Sequence, residues 1–143
     1  ARLRFPLGDV FDIQARVRPV PVGQDLAPTT TIAAAKARVA AARSRQAQRA
    51  KRLGLFAQAN AGLAEADIVR IVPPDSPARR ALEAAADRGG IGRDVVQRAL
   101  RVAVTIADLE GADDVEKRHI TAALGLTDPD GSWFPMPPDY EEE

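Results

Sequence analysis

The run from Arg98 to Gly111, RALRVAVTIADLEG, constrains this chain more than any other segment. Val95, Ala99, Val102, Ala103, Ile106 and Leu109 recur at steps of three and four, so a helix would gather them on one face. Arg98, Arg101 and Asp108 fall off that face, and Gly111 stands where a left-handed cap ends a helix. A helix this apolar needs partners of the same kind. The chain is 45% hydrophobic, much of it alanine, with only 4% aromatic residues. Short side chains suit closely packed helices better than a sandwich or barrel. A mainly α fold is the expectation.

Elsewhere the punctuation is clear. Phe11, Ile13, Ala15 and Val17 alternate with polar residues, which predicts a half-buried strand ended by Pro19 and Pro21. A linker follows over 23–31. A helix is expected over about 31–53, opened by Thr30 or Thr31 and stopped at Gly54. Its narrow apolar stripe of Ile32, Ala35, Val39, Ala42, Ala50 and Leu53 is interrupted by Gln46. A loop over 55–62 leads to a short helix over 64–71, which Pro73-Pro74 ends. Ser76-Pro77 opens another helix, closed at Gly89-Gly90. The 93–110 helix comes next. A last helix is expected from Asp113, with Glu116 completing a capping box, to about Leu124. This divides the chain into a strand region over 1–22, the linker, a helical domain over 32–125 and a proline-rich acidic tail over 126–143.

The absence of cysteine excludes disulfides and thiolate metal sites. His119 has no second histidine to share a zinc ion and reads as a surface or cap-supporting residue. Ser44, Ser76 and Ser132 have no histidine at plausible spacing, so nucleophilic catalysis has no support. Asp113, Asp114 and Glu116 read as helix-start carboxylates rather than an acid–base pair. No run reaches the roughly 18–20 apolar residues that span a bilayer, and Arg2, Arg4 and Asp9 break any leader-like run, so a cytoplasmic location is expected.

Twenty basic and twenty acidic residues balance overall, but none of the acidic ones lies between Leu26 and Ala64. Along the first helix, Lys36, Arg38, Arg45, Arg49 and Arg52 are candidate contacts, the four arginines clustering on one side. Such a stripe can follow a phosphate backbone without reading sequence. It equally describes a solvated face, or one that docks on an acidic neighbour; no interleaved aromatics favour single-strand stacking. Pro137-Pro138-Asp139-Tyr140 fits the pattern bound by WW domains, a short match that arises easily by chance.

Several blocks, in order, resemble the C-terminal part of the magnesium-chelatase-like AAA-plus ATPases of the ComM and YifB type. Ala1-Arg2-Leu3 with Pro6-Leu7, Asp9 and Asp12-Ile13 is similar to that family's ARLSGPLLDRIDI. Ala37-Arg38-Val39 to Gln46 resembles its RVxxARxRQ helix, Asn60-Ala61 with Leu63 its NAxL turn, and 98–111 its last long helix. The resemblance implies a lid-type helical bundle preceded by one strand of the ATPase core. It also implies ATP and magnesium for the intact protein, a homo-oligomeric (hexameric) ring with an upstream ATPase core, and branch-migration-type DNA handling.

The departures matter as much. No G-x-x-x-x-G-K-[ST] loop is present to cradle triphosphate, and no apolar strand ends in an Asp-Glu pair, so this chain by itself is expected not to hydrolyse ATP. Val10 occupies the position of the family's candidate arginine finger. Asp94 occupies that of its sensor arginine, with Arg93 one place earlier. Arg93 is therefore read as a displaced sensor, and Arg98 and Arg101 as secondary phosphate or interface contacts. The alternatives are a stand-alone helical interaction module and a nonspecific DNA-binding domain, neither with a nucleotide role.

Overall fold

A computed structural model describes residues 11–15, 22–23, 28–89 and 91–127. Among them lie α1 (Ile32–Leu53), a 3-10 turn (Asn60–Gly62), α2 (Glu65–Ile71), α3 (Pro77–Gly89), α4 (Arg93–Glu110) and α5 (Lys117–Thr127), and no strand. The domain is a helical bundle, as expected.

Local chemistry sets most boundaries. The Thr31 hydroxyl accepts from the Ala34 N–H at 3.1 Å, and Gly54 closes α1 at φ +61°. The Ser76 hydroxyl caps α3 through the Arg79 N–H at 3.2 Å. Gly111 ends α4 at φ +73°, a conformation that an added Cβ would strain.

The last helix corrects the expectation: α5 starts at Lys117, not at Asp113, and its cap is built differently. The Glu116 N–H donates to Nδ1 of His119 at 2.8 Å, so the imidazole proton sits on Nε2, 3.1 Å from Glu110 Oε2. His119 supports the cap, but from a fully buried position rather than the surface.

α4 also differs from the amphipathic helix expected. It lies at the centre, touching α1, the 3-10 turn, α2, α3 and α5. Burial therefore runs around its whole circumference, including Arg98 and Asp108. Ile68, Val72, Leu82, Leu100 and Val104 are the largest fully enclosed aliphatic side chains, each contributing about 1.5–3 kcal/mol of transfer free energy. Ile106 is partly buried against this core.

Residues 11–15 form no ladder. The Gln14 N–H donates to the Leu126 carbonyl at 2.7 Å, and Phe11 and Ile13 are about half exposed, so the alternation buries neither of these apolar residues. The rest of the expected strand, Val10 and the Pro137–Tyr140 motif lie outside the described residues.

Candidate functional site

The basic helix α1 has two unlike halves. Every residue from Ile32 to Ala41 is exposed, whereas Ala42, Gln46 and Ala50 bury the second half against the bundle. Lys36 and Arg38 stand on the exposed half, with no ion pair among the described residues.

The arginines of the second half behave differently. Arg49 makes a bidentate pair with Asp108, at 2.7 and 2.6 Å, and its Nη2 also donates to Asn60 Oδ1 at 2.9 Å. The Asn60 amide in turn donates to Asp108 at 2.8 Å and to the Thr105 hydroxyl at 3.0 Å. Asp108 is 2% exposed. Arg45 reaches the Ala112 carbonyl at 2.7 Å and Asp113 at 2.6 Å, so it holds the chain just beyond α4. Two members of the expected phosphate stripe, Arg45 and Arg49, are thus committed to internal oxygens. Releasing Arg49 would strand a buried carboxylate. Arg52 remains exposed at the far end of α1.

The three arginines of α4 do not converge. Arg93, at the first position of the helix, is exposed and hydrogen-bonds Glu65 of α2 through Nε and Nη2. That hydrogen bond, and then the charge of Glu65, raises the pKa of Arg93 further above its ordinary value. Gly92 precedes it as an N-cap with no side chain to occupy the helix terminus. Asp94 is exposed beside it and adds negative charge at the same edge.

Arg98 is buried elsewhere. Its Nη1 donates to the Phe11 carbonyl at 3.5 Å and its Nε lies 3.6 Å from Asp12, which fastens the N-terminal segment to the bundle. Arg101 is half-buried in a groove with Ile13, Val39, Ala42 and Val102, and its Nε has no partner among the described residues. Of these three, Arg93 has the exposure that a bound anion requires.

With that geometry in view, similarity to known proteins is specific. The family model described as "Magnesium chelatase, subunit ChlI C-terminal" matches residues 29–127. The chain belongs to that family. It is 32% identical over 126 residues to the uncharacterized protein YifB of Escherichia coli K12, a match covering 86% of this chain and 24% of YifB. The YifB of Salmonella typhimurium LT2 is 33% identical over the same shares. The chain therefore spans about a quarter of the length of these curated relatives. No solved structure matches it.

The C-terminal domain of this magnesium-chelatase-like family is thus the five-helix unit described above. Its matched region begins just before α1 and stops at the end of α5. Sequence reasoning did not find the Arg49–Asp108–Asn60 cluster, although Asn60 belongs to the NAxL-like turn. Nor did it find Gln97 and Arg79, buried on neighbouring helices. A polar residue within an alanine-rich helix is the available signal, and it does not name a partner. Among the described residues, no cluster of histidine, aspartate and glutamate is placed to hold a metal ion. None of their helices is long and apolar enough to cross a membrane.

Proposed function

We propose that this chain is the helical lid of a cytoplasmic AAA-plus ATPase that works as a homo-oligomeric, hexameric ring and handles DNA. In this reading the upstream core binds ATP and magnesium, and the lid reports nucleotide state to the rest of the ring. The observation that carries it is Arg93. It is a solvent-facing guanidinium at the uncapped N-terminus of the central helix, where the helix dipole also favours an anion.

The fit to ATP is partial. Arg93 suits a phosphate oxygen once it leaves Glu65, whereas Asp94 opposes one and no carboxylate cluster among the described residues would hold magnesium. In the intact protein, Glu65 and phosphate would compete for the same guanidinium. Since α4 touches every other helix, a shift at its first turn would be felt across the domain. Arg98 and Arg101 then serve as positioning and groove residues rather than phosphate contacts.

The test uses the full-length protein. Arg93→Ala should lower its ATP turnover by about 10-fold or more, the loss of one charged contact to a developing anion. Glu65→Gln should change turnover in the opposite direction or leave it unaltered. Equal turnover in wild type and Arg93→Ala would refute the sensor role. The 143-residue chain by itself should release no phosphate above background.

A second reading rests on the exposed half of α1, where Lys36, Arg38, Ile32 and Val39 face solvent. It makes the domain a nonspecific DNA-binding or protein-interaction module without a nucleotide role.

A further inference from the structure

A notch of about 330 Å³ between α3 and the first turns of α4 holds polar groups that the fold leaves unsatisfied. Gln97 is 8% exposed, and neither its Nε2 nor its Oε1 has a partner among the described residues. Arg79 is also 8% exposed. Its Nε donates to Glu83 at 2.6 Å, while its Nη1 is buried without a partner among the described residues. Leaving such groups dry and unpaired destabilises a fold, and both side chains line this one notch, so a ligand that turns them outward would supply the missing hydrogen bonds.

The lining defines the chemistry. Ala86, Ile91 and Val96 make the apolar wall. Glu65, Glu83 and Asp87 face two guanidiniums, those of Arg79 and Arg93, which leaves one negative charge in excess and disfavours a polyphosphate as long as Glu65 holds Arg93. Glu65 and Glu83 are already paired with Arg93 and Arg79, so exposed Asp87 is the carboxylate available to an incoming base. Turned toward the opening, the Gln97 amide offers a donor and an acceptor side by side, the complement of the N–H and C=O that one residue of an extended chain points to the same side. Arg79 Nη1 adds a donor for a further carbonyl.

We propose that the α3–α4 notch binds an extended polypeptide segment, its backbone paired with Gln97 and Arg79 and a lysine or arginine side chain set against Asp87. The inference goes beyond the nucleotide reading and does not depend on it, since it stands on Gln97 and Arg79.

The test is an NMR titration of the isotope-labelled 143-residue chain with acetyl-Ala-Lys-Ala-N-methylamide, and separately with its glutamate counterpart. The lysine peptide should shift the Gln97 side-chain amide signals and the Ile91 and Val96 methyl signals saturably, with Kd of about 1 mM for so small a contact. The glutamate peptide should bind about 10-fold more weakly. Gln97→Met should remove the shifts while the helical circular dichroism is retained. Should that variant not fold, exposed Asp87→Asn decides the matter by erasing the preference for lysine. Three outcomes overturn the proposal: no saturable shift by about 20 mM peptide, an equal response to both peptides, or movement of the Gln97 signals by ATP or adenosine instead.

Discussion

At the residue scale, the pair of Arg49 and Asp108 decides how the basic helix is to be understood. The side chain of Asp108 is 1% exposed and that of Arg49 15%, so neither charge is hydrated as it would be on the surface. Removing one partner leaves the other buried without compensation. Arg49→Met should cost about 3–5 kcal/mol in urea unfolding. Asp108→Leu combined with Arg49→Met should recover much of that loss, because the stranded charge is then gone. Additive losses in the double variant would show that packing, not charge, joins α1 to α4. None of this was visible from spacing. Arg49 and Asp108 are 59 positions apart, and each sits in a pattern that reads as a solvated helix face when taken by itself.

At the element scale, helix existence was well marked because each start or stop carries its own local chemistry: Thr31, Gly54, Ser76-Pro77 and Gly111 act through their immediate neighbours. What failed was the environment of α4. Periodicity reports one apolar stripe, but a helix surrounded by five other elements buries its polar positions too, and their partners come from distant chain. The start of α5 failed for a related reason. Asp113 and Glu116 have capping-box spacing, yet Asp113 turns to Arg45 and the cap is completed by His119.

Thr31→Ala removes the N-cap of α1, and because every residue from Ile32 to Ala41 is exposed, the first turns should fray with little change in global unfolding. Amide exchange restricted to residues 32–41 would show it; a fall in global stability of more than about 1 kcal/mol would contradict it. At α5, Lys117 and Arg118 sit at a helix start, which the dipole disfavours. Arg118 answers by pairing with Glu116 and Glu110. The hydrogen bond from Arg118, and then its charge, lowers the pKa of Glu116 below its ordinary value. The stability this contributes is present above the unfolded carboxylate pKa and disappears as pH falls through the folded one. Arg118→Gln should return the Glu116 titration, followed by carboxyl carbon shifts, toward the ordinary glutamate range. An unchanged Glu116 titration would exclude Arg118 as the cause.

At the scale of the whole molecule, net charge is zero, so any attraction to a polyanion must come from where charge is left unpaired. The bundle neutralises Arg45, Arg49, Arg79, Arg93, Arg98 and Arg118 with its own carboxylates. Lys36 and Arg38 on the exposed half of α1, with Lys51 and Arg52 at its end, keep their charge open to solvent. This separation yields a quantitative expectation for duplex binding. If all four bases meet phosphates, the slope of log affinity against log salt is about −3.6, since each neutralised phosphate contributes roughly −0.9. Replacing Lys36 and Arg38 by alanine should flatten that slope by about 2, because two phosphates then keep their counterions. Replacing Arg45 by alanine should leave the slope alone and register instead as lower stability. A salt-independent affinity would rule out the proposed DNA contact, and equal effects from Arg38 and Arg45 would mean that the internal pair with Asp113 opens in the complex.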